Sequence, residues 1–218
     1  MNKLIQSTTE RTLRFHWINL KNGKLNLWGV PGIMTPLSIN SYLWELLKRR
    51  YGEKERASFL YLIGKEQGLH ATNLFIKKFG FNKSPNKKKL LDLIISQSEI
   101  TGHGVFKWVR KDLQNNLIIG KGVSNMAKSY RELFGLSSCP IDHFLRGVVT
   151  SIVSTILKRK MFCIEKECIS MGKKECVFVV KPLEEFSSKD QLFISQFPKE
   201  SDFIDKITYR KNNFFNKI

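Results

Sequence analysis

Four cysteines, Cys139, Cys163, Cys168 and Cys176, lie in the second half of the 218-residue sequence. In a chain that we expect to remain in the cytoplasm, such a set is more often metal-binding or catalytic than disulfide-bonded. Cys168 and Cys176 lie on the two arms of a predicted hairpin, and Cys139 precedes a predicted helix. If that helix packs beside the hairpin, three thiolates converge. Zinc accepts three sulfur ligands and one more ligand.

The residue pattern leaves the fourth ligand of such a zinc site open. The candidates are Glu165, His143 and a water molecule. Strict alternation along a strand places Glu165 on the opposite face from Cys168, so its use would require a β-bulge or an irregular turn. His143 follows Cys139 by one helical turn and requires no bulge. Three buried, inert thiols are the alternative interpretation of the same spacing.

The first third of the sequence predicts a hairpin followed by two helices. Residues 13–30 contain two extended segments, LRFHWINL and LNLWGV, around KNGK, whose Asn-Gly pair favours a tight turn. Thr35 and Pro36 are typical of a helix start, and Gly52 predicts the end of that helix. A second helix is predicted over residues 53–79, from its apolar residues at steps of three and four.

Two glycines lie in the apolar stripe of this second helix. Gly64 and Gly68 each cost about 1 kcal/mol relative to alanine inside a helix. Glycine is favoured where a neighbour approaches too closely for a side chain, so we expect another backbone, or else a ligand, at this point. Close packing of a second backbone is the favoured interpretation.

The remaining sequence predicts a helix, a strand pair, a long helix and a final hairpin. A basic connection at 77–89 contains the Ser84-Pro85 pair, which opens a helix, and strands follow at 104–113 and 117–123. A loop containing Tyr130 and Phe134 leads to a helix from Pro140. The sequence ends with a hairpin at 160–180 and a tail from about Pro182.

The chain carries 37 Lys and Arg against 19 Asp and Glu, which gives a net charge of +18. A field of this sign attracts nucleic acid, acidic proteins and anionic membrane surfaces. Only 10 of these cations are arginine, the residue that reads bases through bidentate contacts, so contact with a nucleic acid would be nonspecific. A compositional bias toward lysine explains the charge equally well.

We expect no membrane span and no secretory signal. The longest nearly apolar run, residues 147–157, is too short for a bilayer, and the N-terminus lacks the apolar stretch of a signal peptide. The cytoplasm is therefore the expected location. A dinucleotide-binding fingerprint is also missing, since Gly120 and Gly122 are not followed by the third glycine and the helix start that it requires.

The segment around the cysteines resembles a known family. Cys139-Pro140 leading into IDHFLRGVVTSIVSTIL, then MFCIEKECISMGKKECVFVV, is similar to the C-terminal half of the 4-vinyl reductase domain, with weaker similarity over residues 24–135. Domains of this family form the sensory part of phenol- and xylene-responsive activators and resemble TRAPP-like folds. The resemblance implies an α+β fold with helices packed on an antiparallel sheet. It places the ligand-binding domain at residues 24–181, between an N-terminal extension at 1–23 and a C-terminal tail at 182–218.

The same resemblance implies a structural zinc ion. In sensory members of the family the metal is held by a Cys before the helix, a Glu three residues before a second Cys, and a third Cys eight residues later. The matching residues here are Cys139, Glu165, Cys168 and Cys176. The resemblance therefore favours Glu165 over His143 as the fourth ligand.

For function, the resemblance implies a non-enzymatic domain that senses or carries an apolar or aromatic small molecule between helices and sheet. It also implies a homodimer that signals through a separate effector protein. The candidate ligand contacts are ring side chains near the predicted sheet, each of which could instead be ordinary core: His103, Phe106, Trp108, Tyr130, Phe134 and Phe144. Two other functions stay open, an enzyme or accessory factor of tetrapyrrole metabolism and a TRAPP-like scaffold or tethering protein.

Overall fold

The computed structural model of the chain describes residues 25–27, 30–32, 35–78 and 86–196. The chain divides into two compact units, residues 1–36 and residues 37–218. Within the described ranges, no helix combines the length and the apolar composition that crossing a bilayer requires.

The first unit contains a short antiparallel hairpin. Strand β1 (Leu25–Leu27) pairs with strand β2 (Val30–Gly32), and Leu27 lies opposite Val30. A connection of two residues suffices for such a pair. The first arm of the hairpin predicted over residues 13–30, and its Asn-Gly turn, lie outside the described residues. The prediction of residues 25–30 as one extended second arm is wrong, because this segment is divided between the paired strands β1 and β2.

Two helices open the second unit. Helix α1 (Leu37–Tyr51) ends where Gly52 adopts a φ of +86°, a conformation that favours glycine. Helix α2 (Glu53–Lys78) follows directly. The helix start predicted from Thr35 and Pro36 and the break predicted at Gly52 are confirmed.

Helix α3 (Lys87–Ile100) is also confirmed as an element. Its first turn is capped by Asn86, whose Oδ1 accepts a hydrogen bond from Lys89 N at 3.0 Å. The opening pair predicted for this helix, Ser84-Pro85, lies outside the described residues.

A four-stranded antiparallel sheet forms one layer of the second unit. Its strands are β3 (Gly104–Asp112), β4 (Leu117–Ser124), β5 (Met161–Glu167) and β6 (Cys176–Pro182), in the order β3-β4-β6-β5. Both predicted pairs, β3 with β4 and β5 with β6, are confirmed, and β6 joins them by pairing with β4. The predicted α+β class, helices packed on an antiparallel sheet, is confirmed.

Helix α4 (Asn125–Phe134) occupies the segment for which the sequence predicted a loop. That prediction is wrong, and Tyr130 and Phe134 are helical residues. The side chain of Ser124 caps the helix by accepting a hydrogen bond from Ala127 N at 3.1 Å. Ala127 and Tyr130, one turn apart, are buried and attach the helix to the domain.

Helix α5 (His143–Leu157) begins at His143 and not at Pro140, where the sequence placed its start. Asp142 occupies the N-cap position, but its side chain makes no capping hydrogen bond. Its Oδ1 instead accepts a hydrogen bond from Ser124 Oγ at 2.9 Å. The start of α5 is therefore joined to the end of β4.

Helices α2 and α5 pack backbone against backbone. A Cβ built on Gly64 or Gly68 would lie 2.0 or 2.5 Å from a backbone oxygen of α5. A Cβ built on Gly147 of α5 would lie 2.0 Å from a backbone oxygen of α2. Real side chains do not tolerate such distances, so all three positions require glycine. The close backbone contact predicted from Gly64 and Gly68 is confirmed.

The chain stays packed on the sheet after β6. A short 3-10 helix (Leu183–Glu185) leads to Phe186, whose ring meets that of Phe162 at a centroid distance of 5.7 Å. Helix α6 (Gln191–Gln196) follows. The domain limits predicted from the resemblance, 24–181 and a tail from 182, stay predictions.

We expect Gly64→Ala to destabilise the second unit by roughly 2 to 4 kcal/mol, because the new methyl group overlaps a backbone oxygen of α5. Urea unfolding measures this change. Gln67→Ala, at an exposed position of the same helix, serves as control and should alter the free energy of unfolding by less than about 0.5 kcal/mol. Equal stability of Gly64→Ala and wild type would contradict the described contact.

Candidate functional site

Four buried side chains with ligand atoms meet where α5 begins beside the β5–β6 hairpin. They are Asp142, Glu165, Cys168 and Cys176, and their ligand atoms all lie within 4.8 Å of one another. Asp142 directly precedes α5, Glu165 lies in β5, Cys168 directly follows β5, and Cys176 begins β6. Two carboxylates and two thiols at such distances form a donor set that suits a borderline-soft metal ion.

An irregularity in β5 lets Glu165 join the cysteines. In the pairing with β6, Glu165 lies opposite Phe178, whereas Glu167 lies opposite Val177, so the register shifts between the two glutamates. An extra residue in one strand reverses the face to which later side chains belong. The irregularity that Glu165 requires in order to share a face with Cys168 is therefore present.

One side chain fixes the backbone of Glu165 at the edge of the sheet. Gln196, in α6, accepts a hydrogen bond from Glu165 N through Oε1 at 2.8 Å and donates from Nε2 to the Glu165 carbonyl oxygen at 2.9 Å. Both backbone polar groups of this edge residue are thereby satisfied. Gln196 is itself buried, so α6 helps to position the carboxylate.

Hydrogen bonds connect the members of the cluster. Asp142 N donates to Glu165 Oε2 at 3.1 Å, and Cys176 Sγ lies 3.5 Å from Asp142 Oδ2. The sulfurs of Cys168 and Cys176 are 4.0 Å apart. The second oxygen of Glu165, Oε1, is buried and has no hydrogen-bond partner among the described residues. An unpartnered carboxylate oxygen is costly to bury, and a bound cation would satisfy it.

Burial governs the protonation of this cluster. It raises the pKa of Asp142 to about 8 and also raises the pKa of Glu165. The hydrogen bond from the Cys176 thiol lowers the pKa of Cys168 to about 5, and the same contact raises the pKa of Cys176. Metal ligands bind without their protons, so a divalent cation would replace the protons that burial keeps here. The residues present therefore fit a metal ion.

The described cluster contains Asp142 and does not contain Cys139, the residue that the sequence offered as a ligand candidate. Cys139 lies outside the cluster, half-buried, with its Sγ 3.7 Å from Ser137 Oγ. Asp142 was not among the sequence candidates, since a helix start at Pro140 would put it inside the first turn, whereas the helix begins at His143.

His143, the alternative fourth ligand, also lies outside the cluster. Its Nδ1 accepts a hydrogen bond from Arg146 Nη2 at 3.0 Å, which leaves the ring proton on Nε2, 3.2 Å from Glu53 Oε1. Burial lowers the pKa of His143 to about 3, although the Glu53 carboxylate opposes this shift. The ring is therefore neutral, and both of its nitrogens have partners within the protein.

Four of the six predicted ligand contacts belong to β3, to the turn before it and to the first turn of α5. The ring of His103 stacks on Phe144 of α5, with a centroid distance of 5.9 Å and an interplanar angle of 12°. Trp108 of β3 donates from Nε1 to the carbonyl oxygen of Leu91 in α3 at 2.9 Å. The ring of Phe106 lies 5.8 Å from a phenylalanine ring of β6.

The other two predicted contacts, Tyr130 and Phe134, face α1. Their ring centroids are 5.2 Å apart, and Phe134 lies 5.4 Å from the ring of Tyr42. The Tyr130 hydroxyl donates to Glu45 Oε2 at 2.7 Å. The six residues thus belong to two groups at different helix contacts, and a role in ligand binding stays a prediction for each of them.

Residues 129–182, which contain α5 and the β5–β6 hairpin, match the family model of the 4-vinyl reductase domain. The resemblance to this family is confirmed. A protein of Methanocaldococcus jannaschii, uncharacterized protein MJ1460, is 40% identical to this chain over 48 residues. That alignment covers 22% of this chain and 30% of the length of the relative.

Solved structures extend the likeness to most of the chain. The phenol-responsive sensory domain of the transcription activator PoxR, solved with phenol, superposes with a TM-score of 0.73 at 17% identity, covering 88% of this chain and 97% of that one. Trafficking protein particle complex subunit 3 from Naegleria fowleri, covalently bound to palmitic acid, gives a TM-score of 0.50 at 11% identity, covering 66% and 93%. At these identities the likeness shows the fold.

We expect His103 to contribute stability that is lost as the pH falls below about 6.5. Burial lowers the pKa of His103 below its usual 6.5, so the unfolded chain takes up this proton first. The stability that the neutral His103 contributes is fully present above pH 6.5 and is lost as the pH falls below that value. In urea unfolding at several pH values, His103→Gln should therefore show a shallower decrease, by up to about 1.4 kcal/mol per pH unit. Parallel curves would contradict a neutral, half-buried His103.

Proposed function

We propose that this chain is a non-enzymatic small-molecule-binding domain, a sensor or carrier for an apolar or aromatic ligand, which acts through a separate partner. The observation that supports this proposal most strongly is the match of its fold, over 88% of the chain, to a sensory domain that responds to phenol. The placement of ring side chains between helices and sheet agrees with it.

The group around His103 is where we place the ligand. The imidazole stacks on Phe144, and its Nδ1 lies 2.8 Å from Thr101 Oγ1. Its Nε2 has no hydrogen-bond partner among the described residues and is available to a polar group of a ligand. A flat aromatic molecule with one hydroxyl would find ring surfaces and a single hydrogen-bonding group at this point.

We further propose that Asp142, Glu165, Cys168 and Cys176 hold a structural zinc ion. Four protein ligands close a tetrahedral site and leave no position for a catalytic water. Bound there, the ion would link the start of α5 to both arms of the β5–β6 hairpin. This ligand set keeps three of the four residues expected from the resemblance and replaces Cys139 by Asp142.

A homodimer and an effector protein are also part of this proposal. Helix α1 exposes an apolar stripe of Ile39, Leu43 and Leu46, which are 53%, 47% and 62% exposed. Side chains at these spacings lie on one helix face, and exposed apolar patches are typical of protein contacts. We place the contact with a second copy on this stripe.

Phenol and toluene are the probes that test ligand binding. Both should raise the melting temperature of the metal-loaded protein, since they bind the folded state. His103→Phe should weaken phenol binding about tenfold and leave toluene binding within about twofold, because it removes one hydrogen bond and keeps a ring. His70→Phe, at an exposed position, serves as the control. If neither compound binds in calorimetry, the ligand-binding function is excluded for this class of molecule.

Metal analysis tests the zinc proposal and decides between the two ligand sets. Protein purified without chelators should contain about one zinc per chain. Asp142→Ala should lose this zinc, because it removes a ligand, whereas Cys139→Ala should retain it. Circular dichroism confirms that each variant is folded. Zinc that survives Asp142→Ala but not Cys139→Ala would restore the ligand set expected from the sequence, and a zinc-free wild type would contradict both sets.

A further inference from the structure

The last described helix, α6, is attached to the domain by apolar contacts along one side. Its residues Leu192 and Phe193 pack against a buried cluster that contains Phe162 and Phe186. The ring of Phe193 stacks on that of Phe186 at a centroid distance of 4.9 Å and meets that of Phe162 at 5.5 Å. A helix of six residues has little stability of its own, so its contacts with the domain decide whether it stays folded.

The last residue of α6, Gln196, supplies the polar part of this attachment. Its side chain makes two hydrogen bonds, at 2.8 and 2.9 Å, to the backbone of Glu165. Its carbonyl oxygen accepts a hydrogen bond from Arg146 Nη1 at 2.9 Å. Arg146 and Gln196 are both buried. Departure of α6 from the sheet would therefore take hydrogen-bond partners from two residues, Glu165 and Arg146.

Glu165 is held from two sides. Its carboxylate faces the candidate metal ligands, with Oε2 3.1 Å from Asp142 N and Oε1 without a partner among the described residues. Its backbone N–H and carbonyl group bond to Gln196 and not to β6. Strand β5 is an edge strand of the described sheet, with β6 as its neighbour. Helix α6 therefore fixes the backbone groups of Glu165 that the sheet leaves open.

The register irregularity of β5 makes this attachment important for the direction of the carboxylate. The pairing with β6 shifts between Glu165 and Glu167. At such a point the ladder is disrupted, and the direction of a side chain depends on other contacts of the backbone. Gln196 provides these contacts. A metal ion bound to the Glu165 carboxylate and helix α6 bound to the Glu165 backbone thus favour the same conformation of one residue.

We propose that metal binding to the candidate cluster around Asp142 and Glu165 is reciprocally coupled to the docking of α6, with Gln196 as the positioning residue between them. The metal-loaded domain retains α6 on the sheet, and loss of the metal releases it. By linkage, docked α6 strengthens metal binding by the same factor by which the metal strengthens docking. The inference rests on the zinc site proposed above and adds a regulatory role to it.

Release of α6 changes the surface of the domain. It uncovers the rings of Phe162 and Phe186, on which Phe193 packs. Exposed apolar patches are typical of protein contacts. Metal occupancy would thereby alter the apolar surface that the domain offers to other proteins.

Hydrogen exchange on the full chain tests the coupling directly. Peptides that contain residues 191–196 are followed without metal and with one equivalent of zinc. Zinc should slow their exchange about tenfold, which is a typical size for coupling between two sites. In Gln196→Ala, zinc should change the same exchange by less than about twofold, because the connection to Glu165 is lost. Exchange that zinc leaves unchanged in wild type, or changes equally in Gln196→Ala, would overturn the proposal.

Cobalt(II) titration provides the second readout, since its visible absorption reports the ligand geometry of a site in which zinc is colourless. Gln196→Ala should bind cobalt about tenfold more weakly and with an altered spectrum, because the backbone of a ligand is no longer held. Gln191→Ala, at an exposed position of the same helix, is the matched control and should bind as wild type does. A Gln196→Ala variant with wild-type affinity and spectrum would contradict the positioning role.

Phe193→Ala tests docking separately from Gln196. It removes the ring contacts with Phe162 and Phe186 and leaves Gln196 and the candidate ligands in place. The coupling predicts that cobalt binding weakens about fivefold. Ile194→Ala, which truncates an exposed side chain of the same helix, should retain wild-type affinity. If circular dichroism shows that Gln196→Ala does not fold, Phe193→Ala still decides, and wild-type affinity in that variant would overturn the proposal.

The outcomes separate the coupling from the zinc site itself. A wild type that binds zinc or cobalt, but whose α6 exchange and variant affinities do not respond, would leave the zinc site standing and refute the coupling. A wild type that binds neither metal would refute the zinc site and the coupling together.

Discussion

Direct backbone contact between α2 and α5 determines where the functional side chains lie. Because Gly64, Gly68 and Gly147 place no side chains between the helices, the separation of the two backbones is set by hard contact and not by adaptable side-chain packing. The first residues of α5 are consequently held at a defined position between α2 and the sheet. The positions of the side chains near this helix start, from Asp142 in the candidate metal cluster to His143 beside Glu53, therefore depend on that contact.

The start of α5 contacts two neighbouring groups of side chains. Consecutive residues of a helix point in directions about 100° apart, so Asp142 and His143 reach different neighbours from adjacent positions. Asp142 faces the β5–β6 hairpin and its thiols, while His143 donates to Glu53 on α2. Arg146, one turn later, reaches the carbonyl oxygens of Cys163 and Gln196. One short stretch of helix thereby contacts the candidate metal ligands, the ion pair of Glu53 with Arg56, and the edge strand of the sheet.

Local patterns predicted the elements better than the site. The glycine spacing in α2 predicted the helix contact, and alternation in β5 predicted that Glu165 needs an irregularity, since both signals act over a few residues. Helix α4 was missed because it is short and begins directly after a strand. The proximity of Asp142 to Glu165 and the two thiols was missed because it depends on where α5 starts, which tertiary packing decides. The pair of Glu53 and Arg56 has the spacing of an ordinary surface ion pair, and only the fold reveals that Arg56 is buried.

The amide of Gln196 has a consequence for how molecules of this protein meet one another. Strand β5 ends the sheet on one side, and an open strand edge is a template on which a strand of another molecule can add. At Glu165 the two backbone groups that such a strand would use are already occupied by Gln196. The opposite border, β3, carries Arg110 and Lys111, which pair with Asp112 and Asp92. Helix α6 thus opposes edge-to-edge pairing at the β5 margin of the sheet.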